Sequence, residues 1–311
     1  EHLEKIESKP EATIVSFDNI KKASEFIPSY SFGDRTRSFL KVQDGCDYFC
    51  TFCTIPLARG KSRNASIAST LTEAEKIAQT EVKEVVLTGV NIGDFGQGGD
   101  ENFFGLVQQL DKVEGIDRFR ISSIEPNLLS NEIIEFCLTN AKRFVPHFHI
   151  PLQSGSNRLL QAMRRKYERE LYAERVALIK ELMPHCCIGV DVIVGFPGET
   201  DELFNETFDF LHSLDVSYLH VFTYSERDNT HALSLSPVVP MTTRYERNKT
   251  LRNLSYMKMQ YFTEQHAGET RPVLFEGHSK NGMMEGYTDN YIKITTPEKK
   301  EWVNEIVEWK I

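Results

Sequence analysis

Beyond Ser38 the sequence alternates short runs of β-branched and aromatic residues with longer amphipathic segments, and this alternation limits the folds open to the chain. Repeated βα units of this kind build a parallel sheet, either closed towards a barrel or doubly wound. The short runs predict six strands, at residues 39–42, 85–88, 118–123, 144–150, 188–194 and 218–224. Helical spacing predicts helices at 72–79, 131–138, 168–182 and 201–214. We therefore expect an α/β fold with six parallel strands.

Three of the six cysteines, Cys46, Cys50 and Cys53, stand close together as C-x3-C-x2-C, with an aromatic residue before the last. A chance triplet at these offsets has odds on the order of a few in a thousand. Three thiolates leave a closed zinc site or a four-cysteine cluster one ligand short, so a bound metal centre would keep an open coordination position. One face of a helix would also give these offsets. The preceding Asp44 and the following Pro56 favour a loop instead.

The other three cysteines fit a structural role better than a metal site. Cys186 and Cys187 are adjacent at the start of a predicted strand, where neighbouring side chains point to opposite faces. We expect them, with Cys137, to lie in the core. A non-catalytic zinc or iron–sulfur module that binds RNA stays possible only with a fourth ligand, which His147, His149 or Cys137 would have to supply.

Composition narrows the class of protein further. The chain has 311 residues, is 40% hydrophobic and carries a net charge of −9, which allows one large core plus a small module. That charge argues against a protein that coats nucleic acid without sequence preference. The sequence has no run of 18 apolar residues, so we expect no membrane span. Clustered thiols indicate metal binding in a reducing cytoplasm.

Polar residues and glycines follow the predicted strands at the end where parallel α/β folds gather their chemistry. Gly89 and Asn91 follow the second strand, and Ser123 and Glu125 end the third. Gln153 follows the fourth strand, and the segment 191–200, which includes Ile193, ends the fifth. Helix capping is the simpler interpretation of the hydroxyls at 156 and 200.

With its aromatic Phe52, the cysteine triplet resembles that of the radical S-adenosylmethionine (SAM) enzymes. The segments His149 to Ser156, Met163 to Tyr167 and Asp191 to Thr200 resemble those of the methylthiotransferase family within this group, over about residues 36–230. The resemblance implies a six-stranded partial (β/α)6 barrel. It also implies a [4Fe-4S] cluster on the three cysteines, with SAM on the fourth iron. One electron from the cluster then yields a 5′-deoxyadenosyl radical.

The same resemblance implies a set of SAM-binding residues near the cluster. Arg164 would lie near the charged end of SAM, although the run 164–166 also fits a solvated basic turn. The remaining residues would surround the cofactor: Phe52, Gly89, Asn91, Ser123, Glu125, Gln153 and Ile193.

The family resemblance also divides the chain into four parts. Residues 1–35 are expected to be a linker left from a missing N-terminal domain, and 36–240 the radical SAM core. Residues 241–268 are expected to form a connecting helix, and 269–311 a small β-barrel resembling the RNA-binding TRAM domain. Tyr287 and Tyr291 could stack there on unpaired bases. The tail has six Lys/Arg and seven Asp/Glu, so its charge does not require RNA.

Among the methylthiotransferases, segments 55–60 and 87–91 look most like the branch that modifies threonylcarbamoyladenosine at position 37 of tRNA. That substrate carries a carboxylate, which Arg59, Lys61 or Arg63 could bind, and an arginine is preferred for its bidentate geometry. The implied reaction adds a methylthio group to C2 of the adenine, after a first SAM has methylated sulfur on a second [4Fe-4S] cluster. That cluster is expected only in the missing N-terminal domain, so the present chain would cleave SAM without completing sulfur insertion.

The implied partners are the tRNA anticodon loop and an electron donor such as flavodoxin or ferredoxin. An alternative within the family is methylthiolation of an aspartate in a ribosomal protein. That enzyme would share the cluster chemistry and differ in what binds near the barrel mouth and the tail.

Overall fold

The computed structural model describes residues 20, 23, 25–31, 36–277 and 281–311. Most of the predicted linker at 1–35 therefore lies outside the described residues. The strands up to residue 223 are, in chain order, β1 (Ser29–Tyr30), β2 (Arg37–Lys41), β3 (Gln43–Asp44), β4 (Arg63–Asn64), β5 (Glu84–Thr88), β6 (Arg118–Ile121), β7 (His147–Gln153), β8 (Cys187–Val194) and β9 (Tyr218–Thr223). The six predicted strands correspond to β2 and β5 to β9.

These six strands run parallel and follow one another in chain order. Hydrogen bonds join β2, β5 and β6 into one group and β7, β8 and β9 into another. A parallel bridge between Phe119 and Phe144 connects the two groups. The strand β1 adds an antiparallel edge to β2, and β3 pairs with β4 beside the cysteine loop. The carboxyl ends of the parallel strands consequently meet at one end of the molecule.

Helices separate the parallel strands, as the alternating pattern predicts. They are α1 (Ile55–Arg59), α2 (Ile67–Ala78), α3 (Phe103–Leu110), α4 (Asn131–Glu135) with a π-helical turn at Phe136–Asn140, α5 (Asn157–Ala162), α6 (Arg169–Leu182), α7 (Asp201–Ser213) and α8 (Met241–Gln265). The pattern missed α1, α3 and α5. Thr200 caps α7 by accepting a hydrogen bond from the Leu203 amide, whereas Ser156 makes no capping hydrogen bond. No helix in the described part of the chain is long and apolar enough to cross a membrane.

The largest core lies between the parallel strands and their helices. Side chains that alternate along β8, Val190 and Val192 among them, are fully buried in this core with Leu40, Leu87 and Phe119. Cys137 and Cys186 belong to the same core, and Cys187 belongs to a second core shared with the C-terminal sheet. All three are free thiols packed among apolar side chains, as a structural role requires.

The C-terminal residues form an antiparallel sheet. Its strands are β10 (Thr270–Phe275), β11 (Met283–Thr288), β12 (Lys293–Pro297) and β13 (Ile306–Lys310), in the order β12-β11-β10-β13. All four strands lie within residues 269–311, where the family resemblance predicts a small β-barrel. Hydrogen bonds tie this sheet to residues at the amino ends of the parallel strands, including one from Arg118 Nη2 to the Pro272 carbonyl at 2.8 Å. The C-terminal sheet therefore sits at the end opposite the cysteine loop.

Candidate active site

The loop between β3 and α1 carries the three cysteines. The Cys46 amide donates to the Gly60 carbonyl at 3.1 Å, and Thr51 is held by the Met163 carbonyl at 3.1 Å and by the Ala232 amide at 2.8 Å. Gly45 precedes the loop with φ of +73°, and a Cβ there would lie 1.9 Å from the Lys61 carbonyl oxygen. The loop thus joins distant parts of the chain, and its entry requires glycine.

Each cysteine sulfur has an N–H donor beside it. The Tyr48 amide lies 3.3 Å from Cys46 Sγ, and the Ile55 amide lies 3.4 Å from Cys53 Sγ. Arg165 Nη1 lies 3.1 Å from Cys50 Sγ. Donors of this kind stabilise electron-rich thiolates and tune iron–sulfur clusters. The three-sulfur set therefore fits a cluster.

The free thiols of Cys46 and Cys50 would be poor nucleophiles. Burial raises the pKa of the Cys46 thiol to about 12, with Cys50 and Asp94 adding to the effect. Burial also raises the pKa of Cys50, against the opposing influence of Arg165. Thiols with raised pKa values stay protonated at neutral pH, whereas metal coordination deprotonates them. The loop therefore fits metal ligation better than covalent catalysis.

Arg165 connects the cysteine loop to the carboxyl end of β6. Its Nη2 donates to the Glu125 carboxylate, and its Nε donates to the Tyr167 hydroxyl at 3.1 Å. Burial raises the pKa of Glu125, although Arg165 opposes the rise. Arg164, which the family resemblance places near the charged end of SAM, is exposed in this structure, with φ of +58°. Its contact with SAM stays a prediction, and the neighbouring Arg165 makes the contacts with Cys50 and Glu125.

Several buried polar atoms at this end of the sheet have no hydrogen-bond partner among the described residues. They are Asn91 Oδ1, Asn127 Oδ1, Ser156 Oγ and Tyr224 OH. Unpaired buried polar groups are rare in folded proteins and commonly mark places that a ligand or ordered water completes. Asn91 and Asn127 each use the amide nitrogen, on Asp94 at 2.7 Å and on the Tyr48 hydroxyl at 2.6 Å. Their carbonyl oxygens therefore remain for a polar ligand such as SAM.

The other predicted SAM-binding residues follow the strands as expected. Gly89 comes directly after β5, where a Cβ would lie 2.7 Å from Ile92 Cγ2 and 2.9 Å from the Gln43 carbonyl oxygen. Ser123 comes after β6 and is half-buried, and Gln153 ends β7 with φ of +69°. Phe52 and Ile193 pack against one apolar cluster around Phe196. Their direct contact with SAM stays a prediction.

The two arginines proposed for the substrate are already partly engaged with the protein. Arg59 Nη1 lies 3.2 Å from Asp44 Oδ1, with half of the arginine side chain exposed. Arg63 Nη2 lies 3.1 Å from Asp44 Oδ2, and its Nη1 donates to the Arg59 carbonyl at 2.7 Å. Arg59 therefore has more freedom than Arg63 to meet a second carboxylate.

Tyr287 and Tyr291 lie far from this end of the molecule, where the C-terminal sheet meets the amino ends of the strands. Their rings stack on each other at 4.9 Å, and Tyr291 also stacks on His147 at 4.5 Å. Arg37 and Arg120 lie over these rings at 5.0 and 4.9 Å. Both tyrosines are half-buried in these contacts, so bases would compete with protein for the ring faces.

None of the residues proposed as a fourth metal ligand is placed beside the cysteine loop by its contacts. His147 Nε2 pairs with the Tyr218 hydroxyl at 2.9 Å, and His149 Nε2 pairs with Asp191 at 2.8 Å. Cys137 is buried in the main core. The non-catalytic module therefore lacks support in these contacts.

Comparisons with known proteins agree with this site. The profile of the radical SAM superfamily matches residues 40–211. The chain is 40% identical, over 94% of its length, to "Threonylcarbamoyladenosine tRNA methylthiotransferase MtaB" of Bacillus subtilis, and 40% identical, over 97%, to the protein of that name from Aquifex aeolicus. It is 34% identical, over 92%, to the tRNA-2-methylthio-N(6)-dimethylallyladenosine synthase of Bacillus subtilis. It spans 66%, 71% and 57% of these three relatives.

Among solved structures, the chain resembles a radical SAM methyltransferase, TsrM from Kitasatospora setae, with cobalamin and a [4Fe-4S] cluster bound. The TM-score is 0.54 at 16% identity, over 79% of this chain and 41% of the other. This likeness is one of fold.

Fold, cysteine loop and profile together place the chain in the radical SAM superfamily. Within it, the chain belongs to the methylthiotransferase family, and its cofactors are a [4Fe-4S] cluster and SAM.

Proposed function

We propose that this chain acts in a radical SAM methylthiotransferase that modifies N6-threonylcarbamoyladenosine at position 37 of tRNA. The observation that carries the proposal is 40% identity, across nearly the whole chain, to two relatives named for that substrate. The relative named for dimethylallyladenosine is 34% identical. Since the chain spans 66% and 71% of the two former relatives, the complete reaction is proposed for the whole enzyme.

Cys46, Cys50 and Cys53 would hold the [4Fe-4S] cluster and leave one iron open for SAM. When bound, the two cofactors supply the one-electron cleavage that yields a 5′-deoxyadenosyl radical for hydrogen abstraction at C2 of adenine. The N–H groups that donate to the three cysteine sulfurs support this assignment.

Other residues of the chain would bind and orient SAM. Asn91 and Asn127 offer unpaired carbonyl oxygens, which would accept hydrogen bonds from amino or hydroxyl groups of SAM. Arg165 neutralises Glu125 and lies beside Cys50, so it would hold both groups in place as charge changes at the cluster. Gly89 would let the backbone approach the ligand closely.

For the substrate, Arg59 is a better candidate than Arg63 to bind the threonylcarbamoyl carboxylate, because half of the Arg59 side chain is exposed. A bidentate arginine–carboxylate pair would also distinguish this group from an uncharged dimethylallyl group. Residues 36–240 would form the partial (β/α)6 barrel, 241–268 the connecting helix and 269–311 a TRAM-like domain. The anticodon loop and a flavodoxin or ferredoxin are the proposed partners.

The test is mass spectrometry of tRNA nucleosides from the source cell with and without the gene. Loss of 2-methylthio-N6-threonylcarbamoyladenosine, with accumulation of its precursor, is expected. The intact gene should restore the modification, whereas a gene carrying Cys53→Ala should not. Cys137→Ala changes a cysteine outside the loop, and as the control it should restore the modification. Loss of the dimethylallyl product would reassign the nucleoside. Unchanged tRNA would overturn the proposal and direct attention to a ribosomal protein.

A further inference from the structure

Three neighbouring parallel strands each contribute one polar side chain to a second cluster of metal-binding groups. His149 is on β7, Asp191 on β8 and His220 on β9. Asp191 Oδ1 lies 2.8 Å from His149 Nε2 and 3.4 Å from His220 Nδ1. Each of the three residues offers one ligand atom, and these three atoms all lie within 4.8 Å of one another.

Strand register explains why these residues meet. Asp191 is directly opposite His220, and His149 is opposite Gly189, two residues before Asp191. Along β8, Val190 and Val192 enter the main core, so Gly189, Asp191 and Ile193 face the other side. The cluster consequently lies on the face that also carries Ile193, one of the residues proposed to contact SAM.

The distances match those among ligands of a single ion. Zinc binds histidine nitrogen and carboxylate oxygen at about 2.0–2.2 Å, so two ligands in a tetrahedral site lie roughly 3.3 Å apart. The two measured separations, 2.8 and 3.4 Å, bracket that value. Two histidines and one carboxylate are also the ligand set that leaves open positions on ferrous iron.

The surroundings supply an outer layer of support for His149. Its Nδ1 lies 3.3 Å from the Tyr218 hydroxyl, which also contacts His147 Nε2 at 2.9 Å. The Tyr218 ring can take this position because Gly189 has no side chain: a Cβ there would lie 2.3 Å from the ring. A hydrogen bond on the second nitrogen orients a ligating histidine and selects its tautomer.

The Asp191 carboxylate lies between the two histidine rings, and its side chain is 20% exposed. His220 has a side chain that is 54% exposed, which leaves one side of the cluster accessible. An ion bound here would keep a position open for water or a substrate oxygen.

We propose that His149, Asp191 and His220 form a binding site for a divalent transition-metal ion of the zinc or ferrous-iron class, separate from the cysteine-bound cluster. Hydrogen bonds alone would explain why an aspartate lies between two histidines. They would not explain why the three ligand atoms converge, why one side of the cluster is accessible and why Tyr218 holds the second nitrogen of His149.

The experiment uses the chain with its [4Fe-4S] cluster reconstituted, so that the cysteines are occupied. Anaerobic equilibrium dialysis against buffered Zn²⁺ is followed by elemental analysis of zinc and iron and by a sulfide assay. One zinc per chain is expected in addition to four irons and four sulfides. His220→Ala should weaken zinc binding by roughly 100-fold or more, since loss of an outer-shell partner alone costs about 10–100-fold.

Two further variants test whether zinc binds at this cluster. Asp191→Asn preserves the side-chain shape but removes the charge, and it should also lose the zinc. His212→Ala removes an exposed histidine of α7 outside the cluster, and it should retain one zinc. The proposal is overturned if the cluster-loaded chain takes up no zinc, or if His220→Ala and Asp191→Asn bind it as the His212→Ala control does. These readouts are independent of the proposed tRNA substrate.

Discussion

At the scale of single residues, Arg165 and Arg164 form a matched pair of neighbours with opposite environments. Arg165 is the cation beside Glu125, whose side chain is only 16% exposed, whereas Arg164 is exposed. We expect Arg165→Ala to reduce the free energy of unfolding by about 3 kcal/mol, because it leaves a largely buried acidic group without its partner. Arg164→Ala should change it by less than about 0.5 kcal/mol. Urea unfolding of both variants measures the difference.

SAM cleavage by the same two variants separates the roles further. Arg165→Ala should lose cluster content or cleavage activity, because its guanidinium also contacts Cys50. Equal behaviour of the two variants in both assays would show that Arg165 has no special role.

At the scale of elements, Gln43 links the cysteine loop to the loop that follows β5. The side chain is fully buried. Its Nε2 donates to the Gly45 carbonyl at 2.8 Å and to Ser62 Oγ at 2.9 Å, while its Oε1 accepts from the Val90 and Asn91 amides at 3.0 and 2.8 Å. One side chain thus aligns the cluster ligands with the proposed SAM-binding loop.

We therefore expect Gln43→Ala to lower both stability and iron content after reconstitution. Unpaired buried groups cost about 1–3 kcal/mol each, so a loss of about 2 kcal/mol or more is expected. Gln97→Ala, at an exposed position, serves as the control and should leave both values unchanged. A Gln43→Ala protein with full iron content and unchanged stability would contradict this linking role.

The sequence predicted the elements better than it predicted the directions of side chains. Hydrophobic alternation located the six parallel strands, and cysteine spacing located the loop, because both signals are local. The choice between Arg164 and Arg165 depends on one turn, and a basic run gives no sign of which member points inward. The cluster of His149, Asp191 and His220 depends on register across three strands, which local patterns do not specify. The only local hint for Arg165 was its position two residues before Tyr167, whose ring it contacts.

At the scale of the whole molecule, Glu84 joins the parallel strands to the C-terminal sheet. This fully buried carboxylate lies 2.8 Å from Arg37 Nε and 2.9 Å from Arg120 Nε. Arg37 Nη1 also lies 2.6 Å from Glu276 Oε1, and Glu276 comes directly after β10. The ionic network therefore stabilises the end of the molecule opposite the candidate active site.

Because of this network, the free energy of unfolding should depend on pH in the acidic range. Burial alone would raise the pKa of Glu84, but Arg120 and Arg37 outweigh burial and lower it from 4.5 to about 2. A carboxylate with a lowered pKa contributes stability above its unfolded pKa and loses that contribution as the pH falls towards the folded pKa. The shift corresponds to about 3 kcal/mol, fully present above about pH 5 and lost between there and pH 2.

Glu84→Gln should consequently cost about 3–5 kcal/mol at pH 7, because it leaves buried arginines without their carboxylate. It should also flatten the pH dependence of unfolding between pH 5 and 2. Glu285→Gln removes an exposed carboxylate paired with Lys293 and should change stability by less than about 1 kcal/mol. Urea unfolding of the cluster-free chain, followed by circular dichroism across this pH range, compares the three proteins. If Glu84→Gln kept the acid dependence of the unaltered chain, the stability loss in acid would have to come from other carboxylates, and the buried network would not be its source.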